Sequence, residues 1–500
     1  MTVRRIAAAN HPQVPSVPSP VLVVSAGMVL VLLLLSPAYG FHGDEMYFVV
    51  AGQHPAPGYV DQPPLTPLLS ALSVALLGVS PTAVRVLPAL EMGLVVVLVA
   101  LIARELGGSR RAQVIAAIVA AVSGYLGAGH LDTTTDPDLF AWALVLWLVV
   151  RLLDGGDRRL WLVTGLVTGI GLENKTTLLF LGAGLAVGLL LARRWDVIRS
   201  PWAWSAVGIA IVLWLPNLAW QAANGWPQLA MAQAIAGYAD ENRAQVLPLL
   251  WLFNGPLLFP VSLAGLGWIL LAKDATQWRA IGLGALVALF LALVSGGKAY
   301  YAIGSAPVFM AAGSNLVDRW LGRGHAIAKG VVLVTLAVLS GAFIALLTLP
   351  VLSLDAYAAS GLSSAVPDVA NTVGWPAFVA TVEDVVYSLP ADQRDRAVIL
   401  ANDYSEASAL DLLGADLPPV YSGHNSYWFW GPPSDDRTVM IHVGDWRPAD
   451  WRPYFIGCAD AATVDNGAHV DNAEQGSRVS VCTGLAQPWS RMWPALRTIS

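Results

Sequence analysis

A polytopic bundle of membrane-spanning helices with a small C-terminal α/β domain is the mostly α architecture that three features of the sequence predict. Of 500 residues, 56% are hydrophobic and only 12% charged, with a mean hydropathy of +0.60, whereas soluble domains carry about 25% charged residues. Apolar runs recur as far as Pro350, near the roughly 20 residues that a helix needs to cross a bilayer. Beyond Pro350 they stop, and Asp, Ser, Pro and Trp become prominent. The net charge of -6, with no basic patch and no zinc-finger spacing, gives no support for a nucleic-acid partner.

Taken in order, the candidate spans lie near residues 20–39, 82–103, 112–128, 138–153, 160–172, 176–192, 201–220, 247–271, 279–295, 300–317 and 329–349. Arg4 and Arg5 precede the first run as in a signal peptide, but the run is long and lacks a small-residue cleavage site, so it reads as a retained helix. The pair 160–172 and 176–192 is short and separated only by Glu173-Asn174-Lys175-Thr176, which also fits one interrupted or re-entrant pair. The expected division is a cytoplasmic segment 1–19, a transmembrane domain 20–350 and an extracytoplasmic domain 351–500.

Lysine and arginine set the orientation, because cytoplasmic loops carry the excess. Alternate loops hold sixteen of these residues, among them Arg104, Arg110, Arg151, Arg193, Arg194, Lys273, Arg279 and Arg319, against three (Lys175, Arg243 and Lys298) on the opposite side. This predicts a cytoplasmic N-terminus and, with eleven crossings, an external C-terminal domain. The two cysteines, Cys458 and Cys482, both fall in that domain; outside the cytoplasm they can form a disulfide, and in a reducing cytosol they would remain thiols. Ala397-Val398-Ile399-Leu400 and Val439-Met440-Ile441-His442-Val443 read as buried strands, and Tyr404 to Leu413 as a helix between them. No internal repeat of the inverted-repeat transporter kind is visible.

Candidate chemistry gathers on the external side. The first loop holds Asp44, Glu45 and Asp61 without a lysine or arginine, a pattern that suits a general base or a hard cation and equally an ordinary solvated loop. The second holds His130, Asp132, Asp136 and Asp138; helix capping accounts for one of these acids but not for all. Lys298 stands beside Tyr300 and Tyr301, as a phosphate-binding group or as an interfacial anchor. Lys175 reads as paired with Glu173. The segment Trp220 to Pro227 reads as a structural turn, and Tyr427-Trp428-Phe429-Trp430 either as a stacking surface for sugar rings or as core and membrane-interface contact.

Gly43-Asp44-Glu45-Met46-Tyr47, followed by Tyr59-Val60-Asp61-Gln62-Pro63-Pro64-Leu65-Thr66-Pro67, resembles the superfamily of dolichyl-phosphate-mannose-protein mannosyltransferases and aminoarabinose transferases, which have the GT-C fold. The order of parts is similar too: Thr135-Asp136-Pro137-Asp138, the Lys298/Tyr300/Tyr301 loop, then an external domain. The resemblance implies a membrane glycosyltransferase that moves a hexose or pentose, with inversion, from a polyprenyl-phosphate carrier to a protein, glycan or lipid acceptor at the outer face of a bacterial plasma membrane. It implies Asp44 and Glu45 as catalytic residues, with Asp44 the base; Lys298, Tyr300, Tyr301 and Gln62 at the donor phosphate; Asp136 and Asp138 as the second acidic motif; and Asp61 as a ligand for a divalent metal of unspecified identity. Two departures stand out. Gln62 occupies a position where some relatives carry lysine or histidine, and the loop with Asp240, Glu241 and Arg243 has no histidine. A lipid or sugar transporter is the alternative architecture; it favours polar groups at the bilayer midplane, whereas these acids flank the spans.

Overall fold

A computed structural model describes residues 17–444, 450–451 and 453–500, so the expected cytoplasmic segment 1–19 lies almost wholly outside the described residues. The chain is mostly helical. Its longer N-terminal helices are α1 (Ser19–Leu35), α2 (Gly43–Gln53), α3 (Leu65–Leu77), α4 (Pro81–Glu105), α5 (Arg110–Ala121), α6 (Thr135–Leu153), α7 (Leu160–Leu172) and α8 (Leu178–Leu191). They continue with α9 (Pro201–Ala223), α10 (Pro227–Ala236), α11 (Ala239–Phe253), α12 (Phe259–Leu271), α13 (Arg279–Ser295), α14 (Ala306–Leu321) and α15 (Ala326–Thr348). Among the described residues, four helical segments are long and apolar enough to cross a membrane: α4, α9, α13 with its lead-in from Lys273, and α15. Five shorter apolar helices accompany them: α1, α3, α7, α8 and α12. Val212, Phe290, Val294, Val334 and Val338 are exposed on the helical surface, as side chains facing lipid would be.

Two expectations are corrected. The first external loop is in large part helical: α2 starts at Gly43 and α3 at Leu65. His42 caps α2, its Nδ1 accepting from the Asp44 amide at 3.1 Å, while Glu45 returns a carboxylate oxygen to the His42 amide at 2.7 Å, a capping box that satisfies two otherwise orphaned donors. The span expected at 247–271 is broken, because Asn254-Gly255-Pro256 stops α11. Gly255 has φ +77°, where a side chain would be strained, and Pro256 cannot donate to continue the helix.

Beyond α15, α16 (Trp375–Ser388), α17 (Tyr404–Leu413) and α18 (Asn425–Phe429) accompany a five-stranded sheet of β1 (Ala397–Ala401), β2 (Val420–Ser422), β3 (Val439–Gly444), β4 (Phe455–Thr463) and β5 (Arg478–Leu485), in the order β2-β1-β3-β5-β4. β2, β1 and β3 run parallel, while β5 is antiparallel to both of its neighbours. The wholly apolar β1 is buried along its length, as a strand covered on both faces must be. One face meets α16 and α17; the other meets Trp451, Trp489 and Trp493. Cys458 and Cys482 face each other across β4 and β5 and are joined in a disulfide, which ties down the edge strand.

The sheet unit is not separate from the helices. Phe41, Met46, Tyr47 and Val50 of the α2 region share one hydrophobic core with Trp375, Phe378, Ile399 and Leu410. A Cβ at Gly43 would lie 2.6 Å from the Ser405 hydroxyl, so glycine there permits the close approach of α17 to α2.

Candidate active site

Four segments far apart in sequence meet beside the start of α2. Asp44 lies in its first turn, half-buried, and Oδ1 accepts a hydrogen bond from the Tyr404 hydroxyl at 2.8 Å. The Asp44 charge, reinforced by burial and by that hydrogen bond, raises the Tyr404 phenol well above its ordinary value, so the phenol remains a donor. Asp61, on the α2–α3 connection, accepts from the Tyr47 hydroxyl at 3.0 Å and faces the Asn425 amide at 3.4 Å. Burial pushes its carboxyl up to about 6, the Asp44 charge adding to the rise and the Lys298 charge opposing it. This connection is anchored by α9, whose Asn217 and Gln221 amides donate to the carbonyls of Pro57 and Tyr59 at 3.2 and 3.0 Å.

The cationic side of the site comes from two turns. Lys175 does not pair with Glu173. It is buried, its Nζ is 3.4 Å from Thr135 Oγ1, and it lies 4.4 Å from the centre of the Tyr300 ring and 5.7 Å from that of Tyr301, within the range of cation–π attraction. Burial lowers its ammonium to about 8; Asp138 pulls the other way, and Lys298 adds to the lowering. Tyr300 and Tyr301 belong to the one-sided 3-10 turn Ala299–Ser305, with rings 5.1 Å apart and nearly perpendicular. Lys298 precedes that turn and is exposed. Gln62 is buried, and its Nε2 has no hydrogen-bond partner among the described residues.

The remaining acids are occupied. Glu45 is fully buried and accepts from Arg85 Nε at 2.7 Å, Arg85 Nη2 at 2.8 Å, the His42 amide at 2.7 Å and the Asp132 amide at 3.1 Å. Four donors leave it no lone pair for a substrate, so its observed role is to fix α2 against α4. Arg85 completes the bracket by donating to the carbonyls of Ser36 and Gly40 at 2.6 and 2.7 Å. Asp136 accepts from the amide and hydroxyl of Thr133 at 2.9 and 3.0 Å, and Asp138 accepts from the Thr177 hydroxyl at 2.6 Å, joining the starts of α6 and α8. Asp132 accepts from Ser70 Oγ; burial first, then the Asp136 charge, raise its carboxyl well above the usual range. Burial, helped by the Arg85 charge, lowers His130 to about 3, so its ring is neutral.

Asp61 does not gain the partners that a resident cation needs. Its oxygens face a phenol and an amide, and no group of three or more His, Cys, Asp or Glu side chains converges among the described residues, whereas hard cations take six or more oxygens, some from water or substrate. The residues present therefore do not form a protein cage for a metal.

Sequence reasoning missed Arg85, Tyr404, Tyr47 and Asn425, and it turned Lys175 the wrong way. Arg85 had a signal, since a charge within an apolar span is costly unless it is paired. Tyr404 had none, lying 360 residues from Asp44. The aromatic run divides: Tyr427 is buried, its hydroxyl donating to Asp411 at 2.7 Å, and Trp428 donates to the Trp493 carbonyl at 2.9 Å. Phe429 and Trp430 line a cavity of about 370 Å³ with His54, Tyr59, Trp220 and Ser426, beside the Asp61 segment.

Comparison with known proteins bears on the fold and on the sequence pattern of part of the chain. Residues 61–220 match the family described as dolichyl-phosphate-mannose-protein mannosyltransferase. The undecaprenyl phosphate-alpha-4-amino-4-deoxy-L-arabinose arabinosyl transferase 2 of Pseudomonas fluorescens is 28% identical over 289 residues, covering 52% of this chain and 50% of that protein. A related arabinosyl transferase of Pseudomonas savastanoi pv. phaseolicola is 26% identical over 208 residues, 40% of this chain and 39% of that one. The chain thus spans half or less of the length of these relatives. Among solved structures, ArnT from Cupriavidus metallidurans bound to undecaprenyl phosphate superimposes with a TM-score of 0.59 at 16% identity, covering 92% of this chain and 97% of that one. The arabinofuranosyltransferase AftD from Mycobacteria gives 0.54 at 14% identity, over 94% and 40%. The chain has the GT-C fold that its first-loop motif resembles, and over residues 61–220 it carries the sequence pattern of the dolichyl-phosphate-mannose-protein mannosyltransferase family.

Proposed function

We propose that this chain is an inverting glycosyltransferase that moves a hexose or pentose from a polyprenyl phosphate to an acceptor at the extracytoplasmic face of a bacterial plasma membrane. The observation that carries the reading is the gathering of a half-buried carboxylate, Asp44, with two lysines and two phenols around one site. Relatives named as arabinosyl transferases, and the structural neighbour ArnT bound to undecaprenyl phosphate, support it. So does the excess of Lys and Arg in the loops opposite the site, which orients a transmembrane domain over residues 20–350 with the site's loops and residues 351–500 outside.

In this reading Tyr404 holds one oxygen of Asp44, and the other takes the proton of the acceptor hydroxyl as that oxygen attacks the anomeric carbon. The bond from the anomeric carbon to the phosphate oxygen breaks on the opposite face, and its electrons leave with the polyprenyl phosphate. Lys175 and Lys298, with the Tyr300 and Tyr301 hydroxyls, offset the charge that develops there. The unpartnered Gln62 amide supplies a neutral donor to the phosphate. Glu45 acts by positioning α2, and Asp136 and Asp138 by fixing the turns that carry Lys175. The cavity beside Phe429 and Trp430 has the size and aromatic lining to receive part of an acceptor.

The test is transfer of radiolabelled sugar from synthetic polyprenyl-phosphate donors by the purified protein in detergent, comparing wild type with Asp44→Asn. Wild type releases polyprenyl phosphate, and Asp44→Asn loses about 10³-fold in turnover with an unchanged melting temperature. Normal turnover by Asp44→Asn would remove the base assignment. Lipid movement across proteoliposomes without turnover of any donor would replace the transferase with a transporter.

A further inference from the structure

The helices that frame the acidic site also frame a second concavity at their other ends. α6 carries Asp138 near its start and finishes at Leu153; α8 begins beside Thr177 and finishes at Leu191; α13 begins at Arg279 and leads toward Lys298. At 1.5 Å per residue, the 19 residues of α6 separate the two by about 28 Å. The second cavity has a volume of about 490 Å³, and its lining includes Leu153, Leu191, Arg193, Arg194, Gln277 and Arg279.

Its three arginines have different tasks. Arg194 is spent on the protein: its Nη1 donates to the Leu153 and Gln277 carbonyls at 3.3 and 2.9 Å, and its Nε and Nη2 hold Asp196 at 2.9 and 2.8 Å. It therefore caps the last turn of α6 and builds the wall. Arg279 donates through Nη2 to the Ala272 carbonyl at 3.1 Å, but its Nε is buried with no partner among the described residues. A buried donor without an acceptor is destabilising. Arg193 is exposed and sits at φ +55° in the C-cap of α8, where its amide donates to the Leu190 carbonyl at 3.1 Å and the Arg194 amide to the Leu189 carbonyl at 2.9 Å. Of the nearby acids, Asp196 is taken by Arg194, and Asp274 lies 3.8 Å from Arg319. Arg193 and Arg279, both in the lining, form no ion pair among the described residues. Leu191 of the lining is exposed, as are Trp195 and Leu271, which adjoin Arg194 and Ala272 in sequence.

We infer that this cavity binds a phosphate group, held by Arg193 and Arg279 and presented by the headgroup of an anionic membrane lipid. The guanidinium fork suits phosphate oxygens, and the exposed apolar rim suits acyl chains lying beside the headgroup. Basic pockets between transmembrane helices on the arginine-rich side of a membrane bind such headgroups. A soluble phosphate compound would satisfy the same donors but would leave the apolar rim without a role.

The test uses the full chain in nanodiscs of phosphatidylcholine doped with phosphatidylglycerol, with retained lipid counted by native mass spectrometry. Wild type retains phosphatidylglycerol over phosphatidylcholine, and Arg279→Gln weakens that retention about fivefold while melting as wild type in phosphatidylcholine alone. Arg193→Gly, chosen because glycine accepts the observed φ, has the same effect and carries the test if Arg279→Gln does not fold. Inorganic phosphate and glycerol 3-phosphate form the second arm. If they raise the melting temperature of wild type but not of the variants, and no lipid preference is seen, the phosphate site stands and its lipid source is overturned. Undiminished phosphatidylglycerol retention in both variants, or no preference in wild type and no response to soluble phosphate, overturns the site.

Discussion

Asp44 and Glu45 are neighbours in sequence but belong to two regions of opposite character. Around Asp44 the groups are polar, partly open and incompletely matched: one carboxylate oxygen held by Tyr404, an unpartnered Gln62 amide, an exposed Lys298 and a buried Lys175 whose close neighbours are two rings and a hydroxyl. Around Glu45 the matching is complete, with four donors on one carboxylate and Arg85 bridging to two carbonyls. A buried charge that is fully satisfied specifies structure, whereas spare donors and acceptors can meet a substrate. The motif therefore joins a framework residue to a candidate reacting one.

Substitutions can break or sharpen that contrast. The largest effect is expected from Arg85→Leu, which strands the Glu45 carboxylate in the interior and costs about 3–5 kcal/mol. Thermal unfolding in detergent should show the loss, and adding Glu45→Gln should restore part of it; an unshifted midpoint for Arg85→Leu would remove the framework role. Next comes Lys175→Met, expected to lower turnover about 10²-fold with little change in melting temperature. Because burial places this ammonium at about 8, it is cationic below that pH and neutral above it. Wild-type donor affinity should therefore fall as pH rises through about 8, and this alkaline limb should disappear from the pH profile of Lys175→Met. Gly43→Ala tests the contact between the two regions. The added methyl meets Ser405 and should cost about 1–3 kcal/mol of stability while moving Tyr404 away from Asp44. The smallest effect belongs to Tyr404→Phe, which removes one hydrogen bond to a charged group and should lower turnover about tenfold with wild-type stability. A larger loss would place Tyr404 among the groups that touch substrate.

Legibility in the sequence followed the range of the interactions. β1, the helix from Tyr404 to Leu413 and most of the apolar helices could be read because their patterns are local. The α2–α3 region was read as a loop because its glycines, prolines and acids lack an apolar period, and its burial is supplied by Trp375, Phe378 and Ile399, more than 300 positions away. The break at Gly255 carried a local signal in Asn254-Gly255-Pro256 that the surrounding apolar residues masked. At the site, the acids and the lysine–tyrosine turn were found from their types, but their partners could not be, since the contacts of Asp44 with Tyr404 and of Asp61 with Asn425 exist only once both ends of the chain are packed together.

The shared core of α2 and the sheet unit has a consequence for biogenesis. Asp44 precedes Tyr404 by 360 residues, so the carboxylate is synthesised long before the phenol that holds it. Between those moments the nascent protein carries Asp44 without the hydroxyl that orients it, so a stalled or truncated chain would hold the lysines and the carboxylate without their alignment. Completion of the site is thus deferred until the sheet unit has been made and has folded onto α2, which makes that unit an internal checkpoint on assembly of the site.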